Sequence, residues 1–310
     1  MPVKARGPVS KPTKIRFAIT PPAAALHETA FDDYLQHCER LGFDTLWLSD
    51  IPLGTQGDPL YHLCYAAART KRLKLGANIV PLGRNPLWLA KQLAQLDRLC
   101  NGRLLLSFVP GLGTAAERAA LGYASGDRGA ALEDILTMLR TWWAGCAVSG
   151  HCEGAQFEAL TLEPRPVQQP LEVWLGGKGP VALERVARAG DGWLTSVITP
   201  AEARTARATI ERRARELGRP IDPEHFGISI PVARNEPPEA AVGALRARRA
   251  DKNLTDIVAV GTPSLRALIA AHLDAGLSKF VLRPSNALDE HADWRSDLDW
   301  LADAVLDLQR

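Results

Sequence analysis

From about residue 14 onward the chain alternates short apolar runs with longer segments whose apolar residues recur at helical spacing. "KIRFAIT" (14–20), "DTLWLSD" (44–50), "LKLGANIV" (73–80) and "GRLLLSFVPG" (102–111) read as four strands. The runs at 171–175, "GWLTSVI" (192–198), "FGISIPVA" (226–233) and "KFVLRP" (279–284) read as four more. Between the first two, "ETAFDDYLQHCERLGF" sets Phe31, Tyr34, Leu35, Cys38 and Leu41 on one helical face that Gly42 closes. "DPLYHLCYAAARTKR" (58–72) is helical in pattern, and Asn85 is placed to cap a helix that opens at Pro86. Further helices are expected near 130–143, 200–217, 238–250, 263–275 and 289–308. In the last, Trp294, Leu298, Leu301, Val305 and Leu308 form one stripe.

Apolar strands that alternate with amphipathic helices indicate a parallel sheet covered on its outside. Eight such pairs in one chain suit a closed (β/α)8 TIM barrel, an α/β fold, better than two open sheets. The irregular stretch "GCAVSGHCEGAQFEALTLEPRPVQQP" (145–170) is a small insertion before the fifth strand, long enough for a hairpin. Residues 15–310 are expected to form a single domain behind a flexible leader, residues 1–14. The tryptophans at 47, 88, 142, 143, 174, 193, 294 and 300 sit at strand or helix spacing and are read as core.

Charge adds little to this picture. With 37 basic and 35 acidic residues and a net charge of +2, nothing argues for a nucleic-acid partner. No apolar run is long enough to span a bilayer, and the leader lacks the apolar stretch of a secretory signal. Five scattered cysteines fit reduced thiols in a cytoplasmic protein. Cys146, His151 and Cys152 match no usual zinc spacing, so no metal is expected.

The chemistry concentrates in "LEVWLGGKGPVALERVARAGDGW" (171–193), where an apolar run meets Gly176, Gly177, Lys178 and Gly179 before a helix opens at Pro180. Main-chain N–H groups in such a turn can converge on a phosphate, with the helix dipole and Lys178 adding attraction. A dinucleotide fingerprint would need an acid ending the next strand about 20 residues on. Asp191 comes too early, before that strand. From these residues alone, a phosphate grip and a turn needing glycine only for its dihedrals stand level.

Three segments carry a resemblance. "LKLGANIVPLGRNPLWLAKQLAQLDRLCNGRLLLSF", "LGGKGPVALERVARAGDGW" and "VGTPSLRALIAAHLDAGLSKFVLRP" are similar, in this order, to elements of the luciferase-like oxidoreductases, over residues 15–285. The resemblance implies a barrel that binds coenzyme F420 or FMN at the C-terminal mouth of its strands. It places the cofactor phosphate on Gly176, Gly177, Lys178 and Gly179, then on Thr195 and Ser196, with Arg283 as a cationic partner. It also implies a strained, cis, non-proline peptide at Asn78-Ile79 behind the ring. Glu117 and Arg128 fall at positions expected to pair beneath the mouth.

The chemistry would then belong mainly to the cofactor, with the protein placing the substrate and excluding water. Asp50, ending "LWLSD", is the candidate acid or base for the accompanying proton, against the plainer reading of a loop or capping carboxylate. Two departures shape the expectation. Ile51 stands where F420-using relatives carry a histidine, and Pro110, Gly111 and Leu112 replace the usual fourth-strand ending, which favours a fairly apolar substrate over a sugar phosphate. The leading expectation is hydride transfer between F420 and a small organic molecule, the barrel being short of long insertions. An FMN-dependent monooxygenase is the alternative, and a cofactor-free binding or regulatory barrel a lesser one. The resemblance also implies a homodimer.

Overall fold

The structure, a computed structural model, describes residues 13–310 apart from 124–125, 287–288 and 290. Of the expected leader, only Thr13 and Lys14 fall among the described residues. The first half runs β1 (Arg16–Ile19), α1 (Glu28–Leu41), β2 (Thr45–Ser49), α2 (Pro59–Arg69), β3 (Lys74–Ile79), α3 (Pro86–Leu99), β4 (Leu104–Phe108), α4 (Ala115–Ala120) and α5 (Arg128–Trp143). A hairpin, β5 (Val148–Cys152) and β6 (Ala155–Leu160), follows as the insertion. The second half runs β7 (Val173–Leu175), α6 (Pro180–Ala189), β8 (Gly192–Ser196), α7 (Pro200–Glu216), β9 (Phe226–Ala233), α8 (Glu239–Arg248), β10 (Ala259–Val260), α9 (Gly261–Asp274), β11 (Lys279–Pro284) and α10 (Trp294–Val305).

Strands β1, β2, β3, β4, β7, β8, β9 and β11 pair in parallel and close on themselves through β8–β9 and β11–β1. The expected (β/α)8 TIM barrel is therefore present, and β10 adds a two-residue pairing to the end of β9. Local chemistry starts several helices where the sequence places them. Asn85 Oδ1 accepts from the Leu87 and Trp88 N–H groups, Asp127 from Gly129 and Ala130, and Thr199 forms a capping box with Glu202. Each such cap contributes about 1 kcal/mol. The last helix starts at Trp294, later than the expected 289, because Asp293 caps it by accepting from the Ser296 N–H.

Alternation along each strand divides the core in two. Outward residues such as Ile19, Leu46, Leu75, Ala77, Leu106 and Trp193 pack against the helices. Inward residues Ala18, Trp47, Trp174, Leu194 and Val281 fill the barrel itself. Room for the two indoles comes from glycines on adjacent strands. A Cβ on Gly76 would lie 2.2 Å from the Trp47 ring, and one on Gly192 would lie 2.5 Å from that of Trp174. Burying each ring removes roughly 200 Å² from water, on the order of 5 kcal/mol. Trp88 departs from the expectation of a core residue: it is 62% exposed, because Pro86 and Asn85 start α3 in a phase that turns position 88 to solvent.

Candidate active site

The same alternation decides which side chains reach the C-terminal mouth. Two residues beyond each interior residue, Ser49, Asn78, Ser196 and Arg283 share the inward face and are partly exposed. Asn78 Nδ2 donates to Ser49 Oγ at 3.2 Å, and Asn78 lies in register with both Ser49 and Ser107. Ile79 and Thr195 share a parity with Ala77 and Trp193, so their side chains belong to the helix-facing layer; both are buried. Of these expected cofactor contacts, the structure thus brings Asn78 and Ser196 to the mouth with their side chains and sends Ile79 and Thr195 away. The expected cis bond at Asn78-Ile79 is also absent: the cis peptides among the described residues precede Pro164 and Pro170. A regular ladder accounts for the trans form, with Asn78 O accepting from Asp50 N–H at 2.8 Å and Ile79 O from Val109 N–H at 3.0 Å.

The turn after β7 is built differently from a simple connection. Gly177 has φ +112°, and a Cβ there would lie 2.6 Å from Ala182 Cβ, so glycine is required by conformation and by packing. Trp193 Nε1 donates to Gly177 O at 2.8 Å and fixes the turn against β8. Helix α6 starts at Gly179 with no side-chain cap. Among the described residues, the N–H groups of Gly177, Lys178, Gly179, Val181 and Ala182 have no protein acceptor. They crowd the positive end of the α6 dipole.

Cations gather at the same edge. Neither Lys178 nor Arg283 has a carboxylate within ion-pair distance among the described residues. Burial lowers the pKa of both; Arg249 and Arg248 lower Lys178 further against the pull of Glu202 and Asp251, and Arg248 lowers Arg283. Within the barrel, in register with Asn78 and Trp174, Ser107 Oγ is fully buried without a hydrogen-bond partner among the described residues. Uncapped amides beside Lys178, which forms no direct ion pair among the described residues, and Arg283, on which no acid acts, form a seat for an anion.

Asp50 sits at the end of β2, almost fully buried. Its Oδ2 accepts from Val80 N–H at 3.1 Å and from Arg84 Nη2 at 2.8 Å, while Arg84 also reaches Asp58 at 3.0 Å. Both bonds fall on one oxygen, and Oδ1 has no protein partner among the described residues. Burial raises the pKa of this carboxyl against the opposing pull of Arg84 and the Val80 N–H. One oxygen thus anchors two loops; Asp50 shares the parity of Leu46 and Leu48, so its side chain leaves the strand on the helix-facing side, like Ile79 and Thr195.

Glu117 and Arg128 do not pair with each other as expected. Glu117 Oε1 accepts from Gly113 N–H at 3.0 Å, and Arg128 Nη1 donates to Pro110 O at 2.6 Å. Each therefore clamps a different point of the loop after β4, whose positive-φ Gly111 and Gly113 let the backbone close over their side chains. Among the described residues no group of three His, Cys, Asp or Glu could hold a metal ion.

Four participants escaped sequence reasoning. Arg84 was visible only as the basic residue of "GRNP". The basic run "RARRADK" (246–252) matches no motif, yet it delivers Arg248 and the buried Arg249 to this edge. Val197, a β-branched residue at φ +55°, has no signature in sequence at all.

The arrangement fits the phosphate of a flavin-like cofactor: main-chain donors at Gly177–Gly179, a turn that a Cβ at Gly177 would fill, and Lys178 and Arg283 outside any direct ion pair among the described residues. A family model described as luciferase-like monooxygenase matches residues 13–308, and the chain belongs to that family. It is 27% identical over 290 residues to the F420-dependent glucose-6-phosphate dehydrogenase of Amycolatopsis mediterranei (strain U-32), a match covering 80% of this chain and 86% of that one. Two solved structures share its fold. The coenzyme F420-dependent tetrahydromethanopterin reductase of Methanopyrus kandleri superposes with TM-score 0.75 at 18% identity, over 96% of this chain and 100% of the other. The oxygenating constituent of 3,6-diketocamphane monooxygenase from Pseudomonas putida, in complex with FMN, gives 0.73 at 14% identity, over 94% and 98%.

Proposed function

We propose that this protein is an F420-dependent oxidoreductase acting on a small, fairly apolar organic substrate. The observation that carries the reading is the anion seat at the β7–α6 turn, where the amides from Gly177 to Ala182 and the cations Lys178 and Arg283 lack protein partners. The F420 dependence named for the Amycolatopsis and Methanopyrus relatives supports this cofactor over FMN, which the Pseudomonas structure keeps as the alternative. When bound, F420 supplies the hydride acceptor or donor. The amides of Gly177, Lys178 and Gly179, with Lys178, Ser196 and Arg283, hold its phosphate. Asn78 and Ser49 bound the mouth, and Asp50, through its uncommitted Oδ1, would take the hydroxyl proton as an alcohol gives up hydride or return it as a ketone accepts hydride.

Val109, Pro110 and the 65% exposed Leu112 border the mouth on the β4 side and support an apolar substrate. A homodimer is part of the same reading. The solvent face of α2 presents Tyr61, Cys64, Tyr65 and Ala68 at helical spacing, and α3 packed beside it presents Trp88. Light scattering should give twice the chain mass of 33.6 kDa, and a monomer at micromolar concentration would remove the dimer.

Titration of the purified protein with F420 and with FMN, read by tryptophan fluorescence, tests the cofactor assignment. Tight uptake of F420 is expected. Preference for FMN would install the monooxygenase alternative, and uptake of neither would leave a binding barrel. A panel of short alcohols and ketones set against sugar phosphates then tests the substrate class, turnover confined to sugar phosphates being the contrary result.

A further inference from the structure

The strand next to the glycine turn ends in an unusual way. Beyond β2, β4 and β7 the next residue continues the ladder, with Asp50 N–H reaching Asn78 O, Val109 N–H reaching Ile79 O and Gly176 N–H reaching Phe108 O. Beyond β8, Val197 turns left-handed at φ +55°, a conformation that a β-branched side chain resists. Ile198 N–H then has no protein acceptor among the described residues. The turn lies beside the anion seat: Ile198, Lys178 and Arg249 line one cleft of about 610 Å³.

Two linked groups grip this turn from both ends. Arg249 Nη1 donates to Val197 O at 2.6 Å, and Glu202 Oε2 accepts from Thr199 N–H at 2.8 Å. Arg249 and Glu202 are bound to each other at 2.7 Å, and Arg249 Nε and Nη2 also reach Asp251 at 2.9 and 3.2 Å. Arg249 is 5% exposed and every nitrogen of its guanidinium is engaged. With two carboxylates offsetting its charge, it has little left for an incoming anion.

We propose that Arg249 is a positioning residue for the cofactor: by holding Val197 left-handed, it presents Ser196 and the Ile198 N–H to the phosphate seated on Gly177–Gly179. This rests on the anion-seat reading above. It assigns Arg249 a role in binding through backbone geometry rather than through charge, and it explains why a strained valine persists at the mouth.

The test is F420 titration, read by tryptophan fluorescence, of Arg249→Met and of Arg249→Met combined with Val197→Gly, with folding followed by circular dichroism. Arg249→Met is expected to weaken F420 binding by roughly tenfold, on the scale of one or two lost hydrogen bonds. Glycine adopts positive φ without a steric penalty, so the double variant is expected to recover about half of that loss on a logarithmic scale. Its charge equals that of the single variant, so the recovery is not electrostatic. Affinity of Arg249→Met within twofold of the parent, or a double variant binding no better than the single one, would overturn the proposal. Should Arg249→Met not fold, Arg249→Lys, which can reach Val197 O or Glu202 but not grip both, takes its place in the same comparison. Gly179→Asp, run in parallel, tests the seat itself: unchanged binding there removes the underlying reading whatever Arg249 does.

Discussion

At the N-terminal end of the barrel, Asp44 is met by Lys279 at 3.1 Å and by Arg16 and Lys74 at 3.3 Å, with Thr45 Oγ1 donating to it as well. At the C-terminal end, Lys178 and Arg283 meet no carboxylate, and the amides of the glycine turn meet no acceptor. Both ends are rich in cations, and the floor also has a cavity, of about 240 Å³, bordered by Lys279, Arg16 and Trp174. What separates them is satisfaction. Burial alone would raise the Asp44 pKa, but Lys279 and Lys74 hold it at about 2, so the floor's cations share a built-in counter-charge. The mouth keeps the glycine-turn amides and Arg283 uncommitted, while Arg84 and Arg249 are paired. Concavity and the presence of cations therefore do not distinguish the two ends; the run of unpaired main-chain donors at the glycine turn does.

The sharpest way to break this comparison is Gly179→Asp. Position 179 is the N-cap of α6, and a Cβ there meets nothing within 4 Å, so the side chain fits. The new carboxylate would cap the open amides and place negative charge where the phosphate sits. Stability should rise by roughly 0.5 kcal/mol while F420 affinity falls by about a thousandfold or more. Thermal melting and fluorescence titration read the two effects. A loss of stability, or retained affinity, would show that the amides are not reserved for a ligand. At the floor the signs reverse. Lys279→Met should cost about 3 kcal/mol in urea unfolding by leaving Asp44 short of its buried partner, with F420 affinity unchanged.

The remaining two substitutions sharpen the contrast. Asp50→Asn should reduce kcat by about a hundredfold with the alcohol or ketone best used by the parent, and leave F420 affinity within a fewfold. Equal turnover would make Asp50 only the loop anchor that its Oδ2 contacts describe. His272, in the last turn of α9, is a buried polar group belonging to neither cluster: it is wholly enclosed and neither ring nitrogen has a partner among the described residues. Burial pushes its pKa down to about 4 from the ordinary 6.5. The unfolded chain thus binds this proton first, and stability is lost as pH falls from about 6.5 toward 4. His272→Leu should stabilise the protein by roughly 1–2 kcal/mol at pH 5 and by less at pH 8, with no change in cofactor binding. A parent whose urea midpoint is flat across that range would contradict the assignment.

Much of the barrel was legible because its signals are local. Period-two runs, Asn85 before Pro86 and the glycine turn each depend on neighbours in sequence, and all appear where the pattern places them. The site was legible only in part. Gly177, Lys178 and Asp50 stand at strand ends and could be named from position, whereas Thr195 and Ser196 differ only in parity, which depends on the register with β9. Glu117 and Arg128 were recognisable as supports, but their partners are backbone groups of a loop whose path no side-chain pattern records. Val197 and Arg249 meet across 52 residues, a contact made by the closure of α8 onto β8. The cis peptide expected between Asn78 and Ile79 was a property of relatives, and the ladder of this chain runs through it unbroken.

The most direct measurement is a crystal structure of the protein bound to F420. The account requires the phosphate to lie within hydrogen-bonding distance of the Gly177, Lys178 and Gly179 amides and beside Arg283. A phosphate anchored at the barrel floor, or held at the mouth without those main-chain donors, would contradict it.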